Sequence, residues 1–143
     1  MPTGDVMRVR AVTVEPQESV RLAVLRMLEE GVGSVAVCEG GRLVGIFTER
    51  DVLRLAGEGA ALDEVRVGDV MTTEVTTVAA DVSVTDAAAL MGERKIRHLP
   101  VVENGHLLGM IGIRDLLGSL VERAWKTHDE AAHDTARQLF RRD

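Results

Sequence analysis

The sequence predicts an α/β fold built from two copies of one small unit, each running strand-helix-strand-strand-helix. Two observations carry this: an ungapped internal repeat, and, inside each copy, a helical apolar stripe followed by two short apolar runs joined by turn residues. Gly4-Asp5-Val6-Met7 returns as Gly68-Asp69-Val70-Met71, an offset of 64 residues. The offset then holds: Thr13-Val14 matches Thr77-Val78, Ser19-Val20 matches Ser83-Val84, Ala23 matches Ala87 and Met27 matches Met91. Gly41, Leu43 and Gly45 answer to Gly105, Leu107 and Gly109, and Arg50-Asp51 to Arg114-Asp115. Two copies of a supersecondary unit imply a pseudo-two-fold arrangement in which each covers the other's apolar face.

Each copy opens with a short extended stretch, Val12 to Val14 and Thr76 to Val78. Val20, Ala23, Val24, Met27 and Leu28 then recur at helical spacing, as do Val84, Ala87, Ala88 and Met91. Ser19 and Ser83 stand at N-cap positions, Asp86 falls in a first turn where the helix dipole favours an acid, and Gly31 closes the first helix. Val35 to Cys38 and Leu43 to Phe47 flank Gly40-Gly41; Leu99 to Val102 and Leu107 to Ile111 flank Asn104-Gly105, a pair suited to the positive φ of a type I′ turn. A second helix ends each copy, with Val52, Leu53 and Ala56 as its apolar face in the first and Leu116, Leu117, Leu120 and Val121 in the second. The expected limits are repeat one at 4–57, a Gly/Ala-rich exposed linker at 58–67, repeat two at 68–123 and a helical tail at 124–143 that either prolongs the second helix or forms a separate one docking through Trp125.

Composition narrows the function. A chain of 143 residues, 45% hydrophobic and 28% charged, can bury a real core. Its net charge of −6 and scattered arginines argue against nucleic acid as the main partner. No leader-like segment and no apolar run of membrane-spanning length is evident, so a cytoplasmic location is expected. Cys38, the single cysteine, sits in an apolar run and reads as a strand residue. The aromatics are Phe47, Trp125 and Phe140, so a bound ring would lie between aliphatic side chains. The histidines are dispersed, and there is no nucleophile elbow or P-loop lysine; no metal site and no catalytic activity are expected.

The DVMT-like entries, Ile96-Arg97-His98-Leu99-Pro100-Val101-Val102, the hairpin glycines and Gly45-Ile46-Phe47-Thr48-Glu49-Arg50-Asp51 together resemble the cystathionine-β-synthase (CBS) domain family from Gly4 to about Val121. The resemblance implies two tandem CBS repeats about a pseudo-two-fold axis, commonly dimerising into a disc, with clefts between the repeats that take adenosine-containing ligands. In similar proteins the pattern Gly-x-x-Thr/Ser-x-x-Asp/Asn places the acid on the ribose hydroxyls and the hydroxyl on ribose or phosphate. Gly45, Thr48 and Asp51 match it throughout. A carboxylate suits a vicinal diol because it offers two acceptor oxygens. The same segment enters a helix, whose unpaired N–H groups favour phosphate. It reads equally as a helix cap with an acid three residues on.

Repeat two has Gly112 in place of Thr48 but keeps Asp115, so occupancy there is in doubt. Arg97 and His98 resemble the basic residues that meet phosphates in the family, and also read as a solvated strand entry; their repeat-one counterparts are Gly33 and Ser34. Val14, Val32, Ala36 and Ile46 in the first half, and Ile96, Pro100 and Met110 in the second, would line an adenine pocket or form plain core. Thr13, Thr77, Arg50 and Arg114 complete the expected ligand-binding set.

The expected function is a regulatory, non-catalytic module that senses AMP, ADP, ATP or a related adenosyl ligand, has no other cofactor, and signals to an effector protein. A homodimer is expected because two repeats should expose two similar helical faces. The alternative is a dimerising scaffold that needs no ligand.

Overall fold

The structure, a computed structural model, describes residues 11–127. The chain divides into two compact units: one holds the described residues through Val75 together with Asn104–Leu107, the other Thr76–Glu103 and the residues from Leu108 onward. The first contains β1 (Thr13–Val14), α1 (Val20–Glu30), β2 (Ser34–Glu39), β3 (Arg42–Thr48), α2 (Glu49–Gly57) and the short α3 (Val67–Val70). The second is built on α4 (Val84–Arg94), β4 (His98–Glu103), β5 (His106–Gly112) and α5 (Ile113–Thr127).

In the first unit β1 lies parallel to β2 and β2 antiparallel to β3. Val14, Val35, Val37 and Phe47 meet Val20, Ala23, Met27 and Leu55 in one core. In the second, Leu99, Val101 and Ile111 meet Val84, Ala87, Met91, Leu116 and Leu120 in another. The alternation of a strand sends every second side chain to the helices, which is why Val35 and Val37 share a core that Ala36 does not join.

The local signals act as their chemistry requires. Ser19 Oγ accepts from Leu22 N at 3.1 Å and Ser83 Oγ from Asp86 N at 3.1 Å, each relieving an unpaired donor of a first turn. The hairpin turns take positive φ at both central residues, Gly40 (57°) and Gly41 (82°), then Asn104 (52°) and Gly105 (81°). The second turn counts with the first unit because Leu43 N donates to Gly105 O and Leu107 N to Gly41 O, both at 3.0 Å. Those two bonds exchange with each other under the 64-residue offset.

Several expectations are corrected. Leu28 is 74% exposed rather than part of the α1 stripe, since Val20, Ala23 and Met27 already fill the core-facing arc. In α2 the core anchor is Leu55, with half-buried Val52 packed against the same core as expected, whereas Leu53 is 74% exposed and Ala56 is exposed. The cause lies at the helix start: Asp51 turns inward to cap Thr48, and Leu55, one turn on, follows it. Val121 is 38% exposed, unlike Leu116, Leu117 and Leu120. The linker is largely exposed, as expected, yet it is tied to the first unit: Val20 N donates to Val65 O (2.8 Å) and Arg21 N to Leu62 O (3.1 Å), while Leu62 and Val65 pack on the first core. Unpaired donors of the α1 first turn thus find acceptors in the linker.

Among the described residues the second unit has no strand answering to β1; Val78 makes an isolated parallel bridge to Val101. In the first unit Ala36 N donates to Val12 O at 2.9 Å. Pro100 occupies the position of Ala36 and has no N–H to give, so the equivalent pairing fails. Within the described residues α5 prolongs the second helix to Thr127; the rest of the tail, and Gly4 to Met7, lie outside them.

The two first helices end alike in a left-handed residue, Gly31 at φ 65° and Lys95 at φ 57°, each with its N–H on the carbonyl four residues back, Met27 or Met91. Only Lys95 carries a side chain in that conformation, which costs roughly 1–2 kcal/mol for an L-residue. Lys95→Gly is therefore expected to raise stability by about 0.5–1 kcal/mol after the extra chain entropy of glycine is subtracted, read as a higher urea midpoint with unchanged slope.

Candidate functional site

β3 delivers Gly45 and Ile46 to the end of the first sheet, and Thr48 and Asp51 join it to α2. Asp51 is 9% exposed, and its Oδ2 accepts from Thr48 N at 2.9 Å and from Thr48 Oγ1 at 3.2 Å. The cap expected from the residue spacing is thus present. Oδ1 is the less committed oxygen, with Arg54 Nη2 3.7 Å away across a half-exposed ion pair. Arg54 in turn reaches Glu58 at 4.0 Å. Spacing around Asp51 did not single out Arg54, although an arginine three residues on along a helix shares its face.

The helix start is less open to an anion than unpaired N–H groups would make it. Glu49 N donates to Gly33 O at 3.0 Å, and the counterpart Ile113 N donates to Arg97 O at 2.8 Å. The carbonyl just before β2 or β4 satisfies the first donor of α2 or α5, a pairing no local pattern in the sequence encodes.

Three expected site residues form one lateral row. Thr13 is in register with Ala36, and Ala36 with Ile46. Beyond Ile46 the row continues to Thr72, through reciprocal bonds of 3.0 Å between Ile46 N and Thr72 O and between Thr72 N and Ile46 O. Thr72 was not among the expected residues; its signal was its place directly after the repeated Gly-Asp-Val-Met. Gly45 is required here, since a Cβ would collide with the Met71 side chain and sit 2.9 Å from Thr72 O. Ala36 and Ile46 are buried on the face turned away from the helices, at 0% and 9% exposure. Thr13 on that face is exposed, and Thr48 is half-buried.

Val14 and Val32 do not join this row. Val14 lies in the first core and Val32 packs against it, because Val14 points to the opposite face from Thr13. In the second unit Ile96 packs against the core, whereas Pro100 and Met110, the counterparts of Ala36 and Ile46, are buried outside it. Thr77 and His98 are half-buried, and Arg50, Arg97 and Arg114 are exposed. Asp115 is exposed, unlike Asp51, and the Gly112 position beside it has no hydroxyl to hold it. Cys38 is buried in β2, which pushes its thiol above the ordinary range. An open cleft of about 370 Å³ on the first unit, lined by Gln17, Glu39, Arg66 and Asp69 among others, includes none of the expected site residues. Among the described residues no cluster of His, Cys, Asp and Glu could hold a metal ion, and no helix is long and apolar enough to cross a membrane.

A small sheet with helices, repeated in tandem and carrying a Gly-x-x-Thr-x-x-Asp strand-to-helix junction, defines a class of paired α/β modules. The chain belongs to the CBS domain family, whose model matches residues 4–58 and 67–122. It is 38% identical over 117 residues to a protein of Methanopyrus kandleri, a match covering 80% of this chain and 60% of that one, so it spans under two thirds of that relative's length. It is 34% identical over 113 residues to the CBS domain-containing protein YhcV of Bacillus subtilis, covering 78% and 80% of the two chains. It is also similar to a solved CBS domain protein of Pyrobaculum aerophilum complexed with AMP, with 27% identity, TM-score 0.79, and coverage of 87% of this chain and 99% of that chain.

The cap makes a stability prediction. Asp51→Ala leaves Thr48 N–H without its acceptor and is expected to cost about 1–2 kcal/mol in urea unfolding, whereas Asp51→Asn, whose amide oxygen still accepts, is expected to cost about half as much. Asp115→Ala, at an exposed position, is expected to stay within about 0.5 kcal/mol of the parent.

Proposed function

We propose that the chain is a regulatory, non-catalytic module of the cytoplasm that binds an adenine nucleotide, AMP, ADP, ATP or a related adenosyl compound, and passes the binding on to a partner protein as a homodimer. The observation that carries the reading is the state of Asp51. It is a nearly buried carboxylate with one oxygen fixed by Thr48 and the other 3.7 Å from a half-exposed arginine. Such a group is oriented in advance, and the second oxygen can accept from a ribose diol when Arg54 swings toward Glu58. Thr48, Arg50, and the row of Thr13, Ala36 and Ile46 are the first-repeat groups proposed to meet the ligand. Thr77, Arg97, His98, Pro100, Arg114 and Asp115 are the second-repeat candidates. The AMP held by the similar Pyrobaculum protein supports the ligand class. A nucleotide that favours one conformation of the module over another shifts their populations, and that shift is what a partner would read.

One observation favours the rival reading of a dimerising scaffold without a ligand: Asp51 already has a structural task as the acceptor for Thr48 N.

Calorimetry separates the two. AMP, ADP or ATP is expected to bind the parent, and Asp51→Ala to weaken that binding about five- to a hundred-fold, as loss of a charged acceptor does. Asp115→Ala is expected to weaken it less. If Asp51→Ala lowers the melting temperature while every nucleotide binds as before, or if none binds the parent, the scaffold reading replaces the sensor. ATP incubated with the pure protein is expected to remain intact, and steady release of phosphate would overturn the non-catalytic assignment.

A further inference from the structure

The row of Thr13, Ala36, Ile46 and Thr72 has two full strands at its middle and a short segment at either end. Both ends lead to the loop of residues 15–19. Arg26, half-buried on α1, donates from Nη1 to Thr13 O at 2.8 Å and to Glu18 Oε1 at 3.2 Å, while its Nη2 lies 3.1 Å from Glu18 Oε2. Glu18 Oε1 also accepts from Glu15 N at 2.9 Å, so the loop closes on the same carboxylate. On its other side the loop holds α3: Val67 N donates to Glu18 O at 2.9 Å and Gly68 N to Pro16 O at 2.8 Å. A Cβ at residue 68 would stand 2.9 Å from Pro16 Cβ, so the approach requires glycine. From α3 the chain passes through Met71 into Thr72. One guanidinium and one carboxylate thus tie both outer members of the row to α1.

We propose that Arg26 and Glu18 are positioning residues for the nucleotide site of the first repeat: without touching the ligand, they hold Thr13 and Thr72 on either side of Ala36 and Ile46. This rests on the nucleotide reading and adds to it the groups that shape the row. A planar guanidinium can serve a carbonyl and both oxygens of a carboxylate at once, which fixes the direction of Thr13 O and so the face to which the Thr13 side chain turns. A strand of two residues has little pairing of its own to do this. In the second repeat the offset positions are Leu90 and Val82, which pack against the core and carry no charge. There Thr77 stands outside any strand, position 112 lacks the hydroxyl of Thr48, and Asp115 is exposed. The clamp therefore occurs in the repeat that also has the hydroxyl and the buried acid.

The full chain carrying Arg26→Leu, the residue type of the offset position, tests this beside Arg26→Lys and Arg21→Leu. Arg21 pairs with Asp63 at 3.3 Å on an exposed side of the same helix, so its variant is the control for losing an ion pair away from the row. In calorimetry with AMP, ADP and ATP, Arg26→Leu is expected to bind about three- to ten-fold more weakly than the parent, as when a site is competent only about a tenth to a third of the time. Arg26→Lys, which keeps a charged donor, is expected to recover part of the loss, and Arg21→Leu to bind like the parent. Urea midpoints of all three should stay near the parent's, because ion pairs open to solvent contribute little. Amide exchange without nucleotide is expected to quicken in Arg26→Leu at Ala36, which donates to Val12 O, and at Thr72, while Leu43 keeps the parental rate. Parental binding by Arg26→Leu, equal weakening by Arg21→Leu, no recovery in Arg26→Lys, a binding loss matched by a fall in midpoint, or unchanged exchange at Ala36 and Thr72 overturns the positioning role alone. A parent that binds none of the three nucleotides overturns the nucleotide reading, and the positioning role falls with it.

Discussion

Within the first unit, the organising constraint is the close pairing of Ile46 with Thr72 above Gly45. Two reciprocal backbone bonds of 3.0 Å hold the segment after α3 along the edge of β3, and the approach leaves no room for a Cβ at residue 45. That pairing satisfies backbone groups at the edge of a small sheet, where unpaired donors and acceptors would otherwise face another chain. It also fixes the strand from which Thr48 and Asp51 are presented. The glycine of the motif is therefore explained by packing, and the threonine and aspartate by what stands at the strand's end.

Asp51 shows how one capping carboxylate decides which face a helix buries. Its inward turn sets the rotation of α2, brings Leu55 into the core and sends Leu53 outward. The Thr48 cap restrains the same side chain, so the carboxylate proposed to meet a ribose has little rotamer freedom left to lose. In the second repeat the absence of a hydroxyl at Gly112 goes with an exposed Asp115. Repetition in sequence has thus preserved the acid without preserving its surroundings.

The repeats diverge in other ways that have physical causes. Pro100 removes the donor that Ala36 supplies, and a strand shrinks to a bridge. Lys95 takes the left-handed turn that Gly31 takes without strain. Leucines outside on α1 become alanine and glycine on α4. Two copies of one unit have in this way acquired different surfaces over closely similar cores.

The sequence by itself determined what depends on neighbours a few residues away. The 64-residue repeat, the Ser19 and Ser83 caps, the left-handed Gly31, the two hairpin turns and the Thr48–Asp51 contact were all legible, because each is a short-range bond or a φ preference carried by named residues. Tertiary structure decided whatever needed a partner distant in the chain. That Leu62 and Val65 carbonyls complete the start of α1, that Gly33 and Arg97 carbonyls take the first donors of α2 and α5, and that Thr72 closes the row of Thr13, Ala36 and Ile46 are pairings no periodicity announces. Likewise an apolar stripe marks a helix as amphipathic, but its width is set by what the sheet can cover, so Leu28 and Leu53 fell outside the core although their residue type fitted it.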